Sequence, residues 1–325
     1  MKKRNTSVIA HLFIGMFFIA LFCSGGELTN DNAAGERAQS SSLELSSVSG
    51  VDNVNENSTY KGYEVPAIND DDDNIVILQF LADSETGEVN YTCAWNRAMR
   101  ANLWSAYTLN DSNSMQNVKR SATFYPTSLL AVGERSTDAD YKQINMAIDR
   151  GHLVPSSDRL RTETENAQTF CFANIAPQWH KHNISGWRRI ENLISKTWNS
   201  KAFRDTLYIA KGATLDSTLV SQYTPTGLPI SDYWWAAVVA VKDTTIYEEL
   251  ESGLQRLYVG PFYYSIAFII PHENKRIYRS DYPKAYAVTV DSLETFLGLD
   301  LFPNLPDTIE TSIEANMSLS LWGLE

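Results

Sequence analysis

The stretch DRGHLVPSSDR, Asp149 to Arg159, decides how this chain is read. It places a histidine directly after a glycine, flanked by two arginines and two aspartates, in a protein with only five histidines. A lone histidine in a polar turn is ordinarily a hydrogen-bonded turn residue. An unperturbed imidazole also titrates near pH ~6.5, so the same residue can serve as a base. The rest of the chain selects between these readings.

Outward from that stretch the chain alternates β-rich and helical segments. NIVILQF (74–80) is a short apolar run of the kind found in buried strands. LWSAYTL, DTLYIAKGA, YWWAAVVAVK and YYSIAFIIP are β-branched or aromatic runs bounded by turn residues. Helical spacing is confined to GWRRIENLISKTWNSKAF (186–203) and VDSLETFLGLDLF (290–302). This mixture predicts an α+β domain on a central, mostly antiparallel sheet flanked by helices. No internal repeat is visible.

Composition bounds the possibilities. The 325 residues are 43% hydrophobic and 11% aromatic, enough for a sizeable core, with a formal net charge of −12. That charge is uneven, because residues 24–73 alone hold 11 acids and 2 bases. Rich in Ser, Asn, Asp and Glu, this segment reads as a solvated, disordered tether, and the domain is expected over 74–325. The domain cannot coat itself in basic surface, so any phosphate binding must come from a few arginines and a metal. MKKR followed by the apolar run Val8–Phe22 has the layout of an export signal, too short for a transmembrane helix. Cys23 ends the run, as in a bacterial lipoprotein signal, although Phe22 stands where such signals carry a small residue. The expectation is an exported protein, either anchored in the cell envelope by a lipid on Cys23 or secreted. Cys93 and Cys171 are then left as an even pair, open to a disulfide or to two buried thiols.

Downstream of the opening stretch lies NIAPQWHKHNISGWRRIENL, Asn174 to Leu193. Trp187, Ile190, Ile194 and Trp198 define a buried helical stripe, in a helix expected to start near Ser185. Glu191 lies on the stripe's edge, where a carboxylate needs a cation or donors. A structural pair with Arg188 or Lys196 would supply one. Asn183, just ahead of that helix, reads as an N-cap or turn residue, or as a neutral oxygen ligand to a hard divalent cation such as Mg2+. Eight residues of ideal helix span about 12 Å, so Asn183 would have to lie in a loop bending back, or reach Glu191 through water.

DRGHLVPSSD, then NIAPQ, then N…W…E resembles the DNA/RNA non-specific endonuclease family, whose members have the ββα-metal fold. VKRSATF resembles the family's upstream arginine segment, and SLETFLGLDLFPNLPD its C-terminal signature, so the likeness runs over about residues 75–315. It implies a phosphodiester hydrolase acting on DNA and RNA with a divalent metal, Mg2+ or in its place Mn2+, and leaving 5′-phosphate products. His152 would be the general base and Asn183 the metal ligand. Glu191 would orient the waters around that metal. Arg150 and Arg120 would clamp phosphate oxygens, with surface ion pairing as the alternative use of each. Asn174 would support the site by hydrogen bonding, and Gly151 would let the backbone pass close to it.

The chain also departs from the family pattern. His182 precedes the expected metal ligand where relatives often carry an apolar or aromatic residue. With His180 it forms HKH, read as solvent-facing or groove-lining rather than as extra ligands. YWWAAVVAVK lacks the lysine many relatives place after the Trp pair. The sequon NIS at Asn183 is discounted, because a glycan there would block the site. Two other functions stay open: a surface nucleic-acid-binding protein on a degenerate nuclease fold, and a phosphodiesterase of small nucleotides or lipid head groups.

Overall fold

The computed structural model describes residues 54–56, 61–68, 72–142, 146–249, 255–278, 280 and 282–325. In chain order its strands are β1 (Val54–Glu56), β2 (Ile75–Asp83), β3 (Glu88–Asn96), β4 (Ala101–Leu109), β5 (Ile148–His152), β6 (Ile175–Trp179) and β7 (Thr206–Ala213). They continue with β8 (Gln222–Tyr223), β9 (Pro229–Ile230), β10 (Tyr233–Lys242), β11 (Thr245–Glu249), β12 (Gln255–Val259), β13 (Phe262–Pro271) and β14 (Ala287–Val288).

Eight of these form one sheet in the order β1-β2-β3-β4-β7-β10-β13-β14, and every neighbouring pair is antiparallel. The α+β, mostly antiparallel expectation is borne out, and each of the five apolar runs falls on a strand. β10 shows why YWWAAVVAVK is apolar without alternation. Trp234, Ala236, Val238 and Ala240 enter one core, while Trp235, Ala237 and Val239 enter another on the opposite face. A strand covered on both sides has no solvent face to mark with polar residues.

The first core also takes Trp187, Ile190, Ile194 and Trp198 from a helix spanning residues 180–198. The second takes Val290, Leu293 and Ile313 from two C-terminal helices, Val290–Leu297 and Asp307–Glu314. Gly298 ends the first of these in the left-handed region, φ 64°, and its N–H caps the Glu294 carbonyl. The expected helix over 290–302 therefore stops at Leu297.

Two expectations need correction. The domain starts before residue 74: Val54–Glu56 pairs with β2, Val65 is buried, and the Ala67 amide donates to the Asp300 carbonyl at 2.8 Å. The segment KGYEVPAI within the expected tether carries enough apolar surface, in Tyr63, Val65 and Ile68, to join the second core. Second, the 180–198 helix begins well ahead of Ser185. β3 is a further strand for which no expectation was drawn from sequence. The export signal, Cys23 and most of the expected tether lie outside the described residues. Among the described residues no helix is long and apolar enough to cross a membrane. Cys93 and Cys171 are buried and not joined in a disulfide, and burial, then the neighbouring Cys171, raises the Cys93 thiol well above its ordinary range. The hairpin β11–β12 belongs mostly to a separate compact unit, taken by itself.

Candidate active site

β5 and β6 pair antiparallel as a ribbon of their own, outside the main sheet, and lead into the 180–198 helix. The DRGH residues are the last four of β5, and Asn174 immediately precedes β6. This ribbon and helix together make the ββα unit.

Gly151 lies opposite Ala176 in the ribbon. A Cβ there would come within 2.6 Å of Gln178 Cβ and 2.7 Å of Trp234 Cη2, both on fully buried residues. The glycine lets β5 lie directly against the core. Alternate positions of a strand share a face, so Arg150 and His152 project together. Both meet Phe124: the Arg150 guanidinium lies 4.1 Å from the ring centroid and the His152 ring 5.6 Å from it. Phe170 closes the other side of His152 at 4.9 Å, edge to face, and Arg120 lies 4.8 Å over that same ring.

The His152 Nε2 is buried and has no hydrogen-bond partner. The Arg150 backbone acts on the ring in favour of its protonated form, which suits a proton on Nδ1 and leaves Nε2 as the basic atom. Burial first, then the Arg120 charge, pushes the imidazole down from 6.5 to about 3. The unperturbed value assumed from sequence does not hold, yet the consequence is the neutral ring a base requires.

Asn174 is fully buried and acts as a clamp. Its amide nitrogen donates to the Val154 and Thr169 carbonyls at 2.9 Å each, and its Oδ1 accepts from the Val154 N–H at 2.9 Å. Its own carbonyl accepts from the Leu153 amide at 3.1 Å. The chain just after His152 is thereby pinned to the start of β6.

Asn183 is not in a loop, which removes one of the two arrangements left open from sequence. It opens a π-helical segment, Asn183–Trp187, inside the continuous helix, and a second one follows at Leu193–Trp198. Eight residues are about 2.2 turns of α-helix, and a wider turn brings Asn183 and Glu191 closer to two whole turns. The Asn183 Nδ2 donates to Asp149 Oδ2 at 2.8 Å. Asp149 also takes His180 Nδ1 at 3.0 Å, so this exposed histidine supports the aspartate. With its nitrogen committed, Asn183 has its oxygen left to offer elsewhere.

Arg120, Arg150, His152 and Asn183 line one cavity of about 400 Å3, together with Phe124, Asp138 and Asp149. Asp138 accepts from Arg150 at 2.8 Å. Four of the six residues singled out from sequence thus meet in one space. Asn174 stands behind it, and Glu191 lies outside its lining.

Glu191 belongs to a polar network packed beneath. Burial raises its carboxyl to about 7, Lys211 acts against that rise, Asp158 adds to it, and Arg120 opposes it. The pair with Arg188 or Lys196 left open from sequence is not formed. Lys211 is fully buried on β7, its Nζ without a hydrogen bond, 5.2 Å from the Tyr107 centroid. Asp158 accepts from the Tyr107 hydroxyl at 2.9 Å and from the Ser195 hydroxyl.

His182 is corrected outright: it is 1% exposed, not solvent-facing. It stacks on Trp187 and meets His272 edge to face at 4.8 Å, with Nδ1 3.2 Å from Gln178 Nε2. Such packing suits a position where apolar residues are expected. Sequence reading gave no role to Asp149, His272 or Lys211. Only Asp149 carried a signal, as the first residue of the quoted stretch.

The chain from residue 77 to 308 matches the family model described as DNA/RNA non-specific endonuclease. It is 30% identical over 230 residues to a nuclease of Nostoc sp., covering 70% of this chain and 76% of that protein. The mouse mitochondrial nuclease EXOG is 24% identical over 243 residues, covering 71% of this chain and 61% of its own length. Among solved structures, the crystal structure of the EndoG/EndoGI complex matches in fold, with TM-score 0.51 and 17% identity over 67% of this chain and 85% of that one. With the DRGH ribbon, the clamped turn and the helix that follows, these likenesses place the chain in the DNA/RNA non-specific endonuclease family.

Proposed function

We propose that this nuclease hydrolyses internal phosphodiester bonds of DNA and RNA with little sequence preference, leaving 5′-phosphate and 3′-hydroxyl ends. The observation that carries this reading is the unpartnered Nε2 of His152, in the wall of a cavity flanked by two guanidiniums and Asn183. Arg150 and Arg120 bind the non-bridging oxygens of the scissile phosphate. His152 Nε2 takes a proton from the attacking water, whose oxygen bonds to phosphorus as the bond to the 3′ oxygen breaks, and that oxygen leaves with the bonding pair and takes a proton from a second water to become the 3′-hydroxyl. Phosphate charge between the arginines offsets the cations that depress the imidazole, raising its basicity when substrate is bound.

The donor set fits a hard divalent cation, Mg2+ or Mn2+. The Asn183 nitrogen is fixed by Asp149, which orients the neutral amide oxygen as a ligand, and Mg2+ needs few protein ligands. Such an ion supplies charge stabilisation for the crowded phosphorus centre and the departing oxygen. Glu191, whose charged form Lys211 favours, would hold water near such a cation. Contacts to phosphate carry no base information, which accounts for low sequence preference. The acidic chain implies few phosphate contacts and binding that weakens with salt. The basic start, apolar run and Cys23 support export, either with a lipid anchor on Cys23 in the cell envelope or by secretion.

Incubation of the purified protein with supercoiled plasmid and with RNA, in Mg2+ or EDTA, tests the reading. Cleavage is expected with Mg2+ and none with EDTA, and His152→Ala is expected to lose about 10^2–10^4-fold in rate. Binding without cleavage would point to a degenerate, non-catalytic fold. Cleavage of small diesters alone would point to a nucleotide or lipid-head-group phosphodiesterase. A His152→Ala protein nicking at the normal rate would remove the base assignment.

A further inference from the structure

On the face of the sheet opposite the 180–198 helix, the two C-terminal helices bring three carboxylates together. Asp291 and Glu294 are three residues apart on the first helix, and Glu314 is the last residue of the second. One oxygen from each lies within 4.8 Å of the others. Glu314 is only 5% exposed, and its Oε1 has no hydrogen-bond partner. A buried carboxylate oxygen left unpaired is costly, so its placement calls for a counter-charge or donor. Glu294 has one donor, the Leu301 N–H at 2.7 Å. The strongest charged influences on Glu294 and Glu314 are acidic, Asp300 and Glu310 joining the three, and none of these comes from a lysine or arginine. Burial and then these neighbours raise the Glu314 carboxyl to about 9. By contrast, exposed acids elsewhere in the chain, such as Asp111 and Asp205, each meet a basic side chain.

We propose that Asp291, Glu294 and Glu314 hold a Ca2+ ion that ties the Val290–Leu297 helix to the Asp307–Glu314 helix. Ca2+ takes oxygen ligands at about 2.3–2.6 Å in irregular geometry, so oxygens on opposite sides of it are about 4.6–5.2 Å apart, a span that accommodates this cluster. Three carboxylates in one place supply the negative charge such an ion needs, and water completes the coordination. The main sheet separates this cluster from Asn183, so the ion is structural and distinct from the metal of the reaction. The assignment does not rest on the nuclease reading.

Thermal unfolding of the full chain in EDTA, in CaCl2 and in MgCl2 tests it, using the wild type, Glu314→Gln and Asn183→Ala. Calcium at about 100 times its Kd is expected to raise Tm by about 4–8 °C in the wild type and in Asn183→Ala, and not in Glu314→Gln. Should Glu314→Gln fail to fold, the exposed Asp291→Asn serves, with calcorimetric Ca2+ affinity expected to fall at least about tenfold. A wild-type Tm indifferent to calcium would overturn the site and leave shared protons as what holds the carboxylates together. A calcium shift that survives both substitutions would overturn it equally. A larger shift with Mg2+, lost in Asn183→Ala, would mean that the ion binds at the catalytic cavity instead.

Discussion

Gly151→Ala tests how closely the DRGH strand is held to the core. The added methyl would lie 2.6 Å from Gln178 Cβ, 2.7 Å from Gln178 Oε1 and 2.7 Å from Trp234 Cη2. Ordinary carbon contacts are about 3.5–4.0 Å, so roughly 1 Å of relief is needed in two directions at once. Gln178 and Trp234 are both fully buried and Trp234 packs on Trp187, so neither neighbour can withdraw. β5 must move outward, carrying Arg150 and His152 with it. Overpacking of this kind costs about 1–3 kcal/mol, which a domain of about 5–15 kcal/mol survives. The same displacement of about 1 Å at the reacting groups can cost about 10^2-fold in rate. Urea unfolding and plasmid nicking should therefore part company: a lower midpoint, a mostly folded protein at working temperature, and a rate loss beyond what the unfolded fraction explains. Wild-type midpoint and wild-type rate together would refute the claim that glycine is needed for close approach.

Three further outcomes are expected. Asp149→Ala frees the Asn183 amide, and should lower cleavage or raise the Mg2+ concentration for half-maximal rate by about 10–100-fold, measured by metal titration. His272 is neutral in the fold, donating to the Ser231 carbonyl at 2.6 Å and accepting from the Trp179 N–H at 2.7 Å, with burial lowering it from 6.5 to about 4. Because its folded value is the lower one, its full stability is present above pH ~6.5. On the order of 3 kcal/mol is lost as pH falls from there toward 4, and urea unfolding of His272→Asn should show a shallower acid loss. Lys211→Met removes the cation that opposes the rise of Glu191, so the acid limb of the nicking pH profile should move to higher pH. An unchanged limb would detach Glu191 from the rate.

Five strands of the main sheet were readable because apolar runs leave a plain signature, whereas β1 and β14, of three and two residues, are too short to leave one. β3 escaped because its buried residues include the polar Asn90 and Thr92, and the burial of Asn90 depends on partners from a distant part of the chain, such as Gln168. The cavity residues were legible by resemblance, as a motif carries its spacing in the sequence. The course of the 180–198 helix was not, because a π turn depends on which carbonyl each amide selects after packing. Lys211 and His272 were invisible for the same kind of reason: nothing local in DTLYIAKGA or FIIPHE says that either cation-forming side chain will be walled off from water.

The wide turn at Asn183–Trp187 has a mechanical corollary. A π segment is an α-helix with one residue to spare, so a single deletion between 184 and 186 could be absorbed without breaking the rod. The tryptophan and isoleucine stripe would keep its grip on the sheet. Seven α-helical steps of about 100° come to about 700°, close to the two whole turns that the wide turn now provides, so Asn183 would keep its phase relative to Glu191. The same deletion within the regular Arg188–Asn192 turn has no spare residue to draw on, and would rotate everything ahead of it by about 100°, turning Asn183 away from Asp149 and switching the chemistry off by phase alone.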